Sequence, residues 1–214
     1  RDRAEAAKAA KAEAAKAEAA TKEEANVRPE LVILSKMIIK SYGVMGWQMG
    51  EDGKNHKRVG EAPNDSIVFV DPAGLQFLQS KDKKTQRAGG ASGGIYNEMK
   101  LKVFPDDVVK KVVEEGAAAY HKYTPAGQHY NVIHAVGPDF SSGAYVAWSV
   151  ADNIAEATKK LAIAYTNVFT QFATCPLAAE VEGNESDLYL RLLPISGGNF
   201  CLLYTSPSPR DTRS

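Results

Sequence analysis

The chain has 214 residues, 44% of them hydrophobic, and its 26 basic and 26 acidic side chains cancel to a formal net charge of zero. That length supports one domain of ordinary size with an extension, and the neutral balance excludes a global field drawing the protein to nucleic acid or an anionic membrane. Cys175 and Cys201 fit no metal-ligand or CxxC spacing, and no apolar run approaches the roughly 20 residues that span a bilayer; the expectation is an intracellular setting, cytoplasmic or nuclear, with no membrane.

Residues 1–25 are almost entirely Ala, Glu and Lys, with Glu5 and Lys8 at helical spacing. They predict a solvated helical spacer, because nothing larger than alanine is there to be buried. The first residue is not methionine, which reads as a fragment. Pro29 closes the spacer. The β-branched runs Leu31–Leu34 and Met37–Ile39 predict the first strands of a domain spanning residues 26–202.

Gly43 to Gly60 is polar, with Glu51-Asp52-Gly53-Lys54 as its turn and Trp47 as a hydrophobic anchor under the loop. Ser66 to Val70 is continuously apolar, as in an interior strand covered on both faces, and ends in Asp71-Pro72-Ala73-Gly74. The stretch from Gln76 to Arg87 carries Lys81, Lys83, Lys84 and Arg87, but Asp82 interrupts it and no aromatic residue interleaves. It reads as a solvated loop, and nucleic acid is not an expected partner.

Pro105-Asp106-Asp107 starts a helix, with Val108, Val109, Val112 and Val113 at helical spacing up to Glu115. Gly116 favours a break, after which Ala117 to Tyr123 fits either more helix or a strand; Thr124 to Gly127 is a turn. Tyr130 to Val136 predicts a strand stopped by Gly137-Pro138. Ser149 or Asp152 caps a helix running to about Phe172, with Ile154, Leu161, Ala164, Tyr165, Val168 and Phe172 on its apolar face. Leu188 to Leu193 is a last strand. The tail over 203–214 has no periodicity and two Ser-Pro steps; it predicts no core element and reads as non-native adapter sequence. Strands alternating with helices imply an α/β fold that receives ligands where loops leave the strand ends.

Two glycine-rich stretches stand out as turns: Gly89, Gly90, Ala91, Ser92, Gly93, Gly94 and Ile95, and then Ser196, Gly197, Gly198, Asn199 and Phe200. Successive backbone amides in such turns make an anion-binding concavity without a charged side chain, which suits a neutral protein. Neither stretch is a Rossmann fingerprint or a P-loop. His134 shares a strand face with Val132 and Val136 and reads as a buried, hydrogen-bonded histidine. His56, His121 and His129 make no metal-ligand spacing with it, so no metal site is expected.

The order of these pieces, above all Val132-Ile133-His134-Ala135-Val136-Gly137-Pro138 between the two glycine stretches, resembles the macrodomain family over about residues 66–200. The resemblance implies a three-layer α/β/α domain with a mixed sheet, binding ADP-ribose or ADP-ribosylated proteins across its strand ends and needing no cofactor. Gly89 to Ile95 and Ser196 to Phe200 would wrap the diphosphate, with Phe200 against the distal ribose. The aspartate that receives the adenine amino group in that family has no ungapped counterpart, Asp65 being the nearest. Hydrolytic members carry Asn-Ala-Ala-Asn where this chain has Asp71-Pro72-Ala73-Gly74. Asp71 is then the one candidate catalytic base, against a role as turn-former before Pro72. The resemblance thus implies ADP-ribose binding, with an ADP-ribosyl hydrolase or a degenerate scaffold as alternatives. It also implies further C-terminal elements, so the domain reads as truncated there.

Overall fold

The computed structural model describes residues 37–50, 56–80, 85, 88–140, 150–181 and 187–196. The chain divides into two compact units, Arg1–Ser41 and Tyr42–Ser214. The expected spacer over 1–25, the run Leu31–Leu34, the lysines before the first glycine stretch and the tail over 203–214 lie outside the described residues. In the first unit Met37, Ile38 and Ile39 form no strand, and Ile39 is 92% exposed. β-Branched residues favour a strand only against a surface that buries them.

In the second unit, β1 (Trp47–Met49) pairs antiparallel with β2 (His56–Arg58). The main sheet is mixed. It contains β3 (Ile67–Pro72), β4 (Ala118–Tyr123), β5 (Tyr130–Ala135) and β6 (Tyr189–Arg191) in the order β4-β5-β3-β6. β3 runs parallel to β5 and β6, while β4 is antiparallel to β5. The helices are α1 (Leu75–Leu78), α2 (Gly90–Met99), α3 (Asp106–Lys111), α4 (Val150–Ala173) and α5 (Pro176–Val181). Among the described residues no helix is long and apolar enough to cross a membrane.

Neighbouring residues along β3 and β5 fall in different hydrophobic clusters, as the two-residue side-chain period requires. Phe69, Val132 and Val136 pack with Ile95, Tyr96 and Met99 of α2 and Val108 of α3. Val68, Val70, Ile133 and Ala135 pack with Ala164 and Val168 of α4 and Leu177 of α5. The continuous apolar run at Ile67–Val70 is thereby explained, since each such side chain taken out of water contributes about 1.5–3 kcal/mol.

Several elements differ from the sequence expectation. The first glycine stretch is not a turn, because Gly90 already opens helix α2. Asp71 and Pro72 belong to β3, opposite His134 and Ala135, and the turn expected at Asp71 is reduced to one tight bond at the strand end, from the Ala73 amide to Asp71 O. β6 pairs only with Ile67–Phe69, which leaves Pro72 on a locally unpaired flank of β3 where a missing N–H is tolerated. Helix α3 stops at Lys111 instead of Glu115: the Gln79 side-chain amide donates to the carbonyls of Val109 and Val112, taking up acceptors that a helix end leaves open. Gly116 (φ +83°) then starts the turn into β4. On α4, Ala164, Val168 and Leu161 face inward as expected, but Ile154 is 60% exposed. Near that end, among the described residues, a small cluster of Phe140, Ala157 and Leu161 is packed. Ser149 lies outside the described residues.

Candidate ligand-binding site

Because β3, β5 and β6 are parallel, their C-terminal ends open at one edge of the sheet, where α/β proteins receive ligands. A cleft of about 380 Å³ lies there. Ala73, Gly74 and Gln76 line it from the segment after β3, and Val136, Gly137 and Asp139 from the segment after β5. Its volume falls within the usual range for small-molecule sites. Glu115 also lines it, with Oε1 accepting from the Asp139 amide at 3.2 Å and Oε2 lying 3.8 Å from Lys160 Nζ.

Neither Gly89–Ile95 nor Ser196 lines this cleft; the start of α2 is tied to the same strand end by the Ser92 hydroxyl, which donates to the Pro72 carbonyl at 3.0 Å, one residue before Ala73. Gly89 precedes the helix with no side-chain cap, and Gly90 takes φ +59°. The amides of Gly90, Ala91 and Ser92 lie in the first turn and have no intrahelical acceptor; that of Gly93 donates to Gly89 O at 3.2 Å. Gly94 and Ile95 sit deeper, where helix geometry commits their amides to carbonyls four residues back. A Cβ at Gly89, Gly90 or Gly94 would meet nothing within 4 Å, whereas one at Gly93 would stand 2.4 Å from Ala88 O. Gly93 therefore serves the fold, while the open side of the helix start is free for a ligand. Glycines at 93 and 94 weaken the helix by about 1 kcal/mol each relative to alanine, whereas at Gly90 the positive φ favours glycine; tertiary contacts therefore help to hold the first turns.

From the second glycine stretch the structure describes Ser196; Gly197, Gly198, Asn199 and Phe200 lie outside the described residues. Ser196 is held at φ +56°, its hydroxyl donating to Pro138 O at 2.7 Å. Gly137 lets this turn approach, since a Cβ there would come within 2.4 Å of Ser196 Oγ. The Ile195 amide donates to the Tyr165 hydroxyl at 3.0 Å. Tyr165, expected only to pack, thus also anchors the turn.

Asp71 lies beneath the cleft. It is fully buried, and its Oδ2 receives both the Tyr96 hydroxyl at 2.6 Å and His134 Nδ1 at 2.7 Å. His134, also fully buried, meets the Tyr123 hydroxyl through Nε2 at 2.7 Å. The edges of Phe104 and Tyr123 enclose the imidazole. Among the described residues Asp71 Oδ1 has no hydrogen-bond partner. Burial, and after it the Asp71 charge, pushes the Tyr96 and Tyr123 phenols well above their usual range. His134 is the buried histidine that strand alternation predicts. Its partners were not foreseen, since Tyr96 and Tyr123 carry no motif of their own.

Two other expectations resolve differently. Asp65 precedes β3 and bonds exposed His129 at 3.0 Å; the six residues of β3 put it about 20 Å from the open strand ends. Trp47 is no anchor under a loop: its face carries the Arg58 guanidinium at 4.4 Å, its Nε1–H donates to Glu98 Oε2 at 3.3 Å, and Arg58 pairs with Glu98 at 2.5 Å. This clip ties the β1–β2 pair to α2. Comparison with family models, curated proteins and solved structures finds no match to the chain.

Proposed function

We propose that the chain is a macrodomain-like, three-layer α/β/α protein that binds ADP-ribose, free or attached to a partner, in an intracellular setting. The observation that carries this reading is the convergence at one sheet edge of an uncapped, glycine-opened helix start, the Ser196 turn and a cleft of ligand size. The diphosphate belongs at the amides of Gly90, Ala91 and Ser92, where the helix dipole favours an anion. Uncharged ribose or adenine suits the cleft better, because its lining is mainly apolar and neutral, with Ala73, Gly74, Leu75, Val136 and Gly137. Asp71 does not suit the role of a base: a base must reach its proton directly or through one water, and this carboxylate is buried with Oδ2 shared by two donors. Binding without turnover is therefore the proposal.

The test is a thermal melt of the full chain with ADP-ribose, AMP or neither. At about a hundred times the dissociation constant, ADP-ribose should add roughly 2.7 kcal/mol, with AMP doing far less because it lacks the diphosphate. A cooperative melt that ADP-ribose leaves in place refutes the proposal.

A further inference from the structure

The four groups below the cleft come from four elements: Asp71 from β3, Tyr96 from α2, Tyr123 from β4 and His134 from β5. Their hydrogen bonds have one consistent direction. An ionised carboxylate only accepts, so Tyr96 and His134 Nδ1–H both donate to Asp71 Oδ2. A neutral imidazole that donates from Nδ1 accepts at Nε2, and the Tyr123 hydroxyl fills that position. Tyr123 thus selects the tautomer that holds Asp71, as an outer partner does for a ligating histidine.

The other end of this chain of bonds is the glycine-rich helix. Ser92 and Tyr96 lie one turn apart on the inner face of α2, and their hydroxyls donate to consecutive residues of β3, Pro72 and Asp71. The Glu98 clip to Trp47 and Arg58 acts at the far end of the helix. The first turns, whose glycines favour fraying, are held by the two hydroxyl bonds and by the burial of Ile95 and Tyr96.

We infer that Tyr123, His134, Asp71 and Tyr96 form a positioning relay for the start of α2, through which a hydroxyl on β4 governs how firmly the Gly90–Ser92 amides are held for an anion. For the ligand this rests on the ADP-ribose reading; the positioning itself does not. The Tyr123 hydroxyl bonds His134 and, among the described residues, makes no hydrogen bond to α2, so a purely local role for it predicts no effect on the helix.

The experiment measures amide hydrogen exchange of the full chain as wild type, Tyr123→Phe and Tyr96→Phe, with ADP-ribose and inorganic pyrophosphate titrated in parallel. Both variants should speed exchange at the hydrogen-bonded amides of residues 93–96 about tenfold while β3 and β5 keep wild-type protection. Affinity for both ligands should fall about fivefold, the factor equivalent to one neutral hydrogen bond. Unchanged exchange in α2 of Tyr123→Phe overturns the relay, as does an acceleration spread evenly over sheet and helices. If Tyr96→Phe does not fold, Tyr123→Phe decides alone, since it leaves Asp71 its Tyr96 donor. If the wild type binds neither ligand, the ADP-ribose reading falls, and the exchange pattern still upholds or overturns the relay.

Discussion

Adjacent glycines in α2 give a direct test of whether the first glycine stretch is helix or turn. Alanine at either Gly93 or Gly94 gains the same helix propensity, about 1 kcal/mol, so that contribution cancels when the two variants are compared. What remains is space. A Cβ on Gly94 meets nothing within 4 Å, whereas one on Gly93 stands 2.4 Å from the Ala88 carbonyl oxygen and 3.1 Å from its carbon. That obstacle is backbone, itself held by the Ala88 amide on Thr85 O at 3.0 Å. Relieving it needs a main-chain shift of about 1 Å, and overpacking of this kind costs about 1–3 kcal/mol. Gly94→Ala is expected to be more stable than wild type by up to about 1 kcal/mol, and Gly93→Ala less stable than Gly94→Ala by about 1–3 kcal/mol. In a domain of this size the gap is on the order of 5 °C in Tm. Urea and thermal denaturation of the full chain read both values. A loss of stability in Gly94→Ala would refute the helical assignment, because alanine is penalised there only if the backbone needs a left-handed conformation.

The buried phenols predict an alkaline limit to stability. Burial, then the Asp71 charge, raises both Tyr96 and Tyr123 above the unfolded value near 10, so their contribution is complete below about pH 10 and is lost as pH rises beyond it. Each phenol should cost about 1.4 kcal/mol of stability per pH unit there; urea denaturation between pH 8 and 11 measures the slope, and Tyr123→Phe should lower it, an unaltered slope refuting the assignment. Gly137→Ala would drive a methyl group to 2.4 Å from Ser196 Oγ and 2.6 Å from Ile195 Cγ2. It is expected to cost about 1–3 kcal/mol and to displace the Ser196 turn, so that ADP-ribose affinity measured by calorimetry falls; unchanged affinity would exclude that turn from the site.

What the sequence made legible was local or strictly periodic. The continuous apolar run at Ile67–Val70 gave an interior strand, and alternation in β5 buried His134 on the face of Val132 and Val136. Alternation of elements gave the mixed α/β class. Periodicity failed where the outcome depended on a distant surface. Met37–Ile39 have strand propensity and no strand, and Ile154 keeps helical register with Leu161 yet stays exposed. The β1–β2 pair is too short and too polar to show alternation. It is fixed instead by Trp47, Arg58 and Glu98, which lie up to 51 residues apart.

Asp71 shows most clearly why a site is harder to read than a strand. Locally, aspartate before proline favours a turn, and in the chain as built a tight bond from the Ala73 amide to Asp71 O at 2.8 Å does follow. Yet the side chain remains on the inner face of β3, because residues 96 and 134 bring donors to it from two other elements. An ionised carboxylate is tolerated in an interior only when such donors are supplied, so the burial of Asp71 is a property of the assembled sheet and helix and of no segment alone. The same reasoning explains the glycines of α2. Their low propensity makes the helix start depend on its contacts with β3, and through the proposed relay that dependence lets a buried carboxylate set the geometry of the first-turn amides.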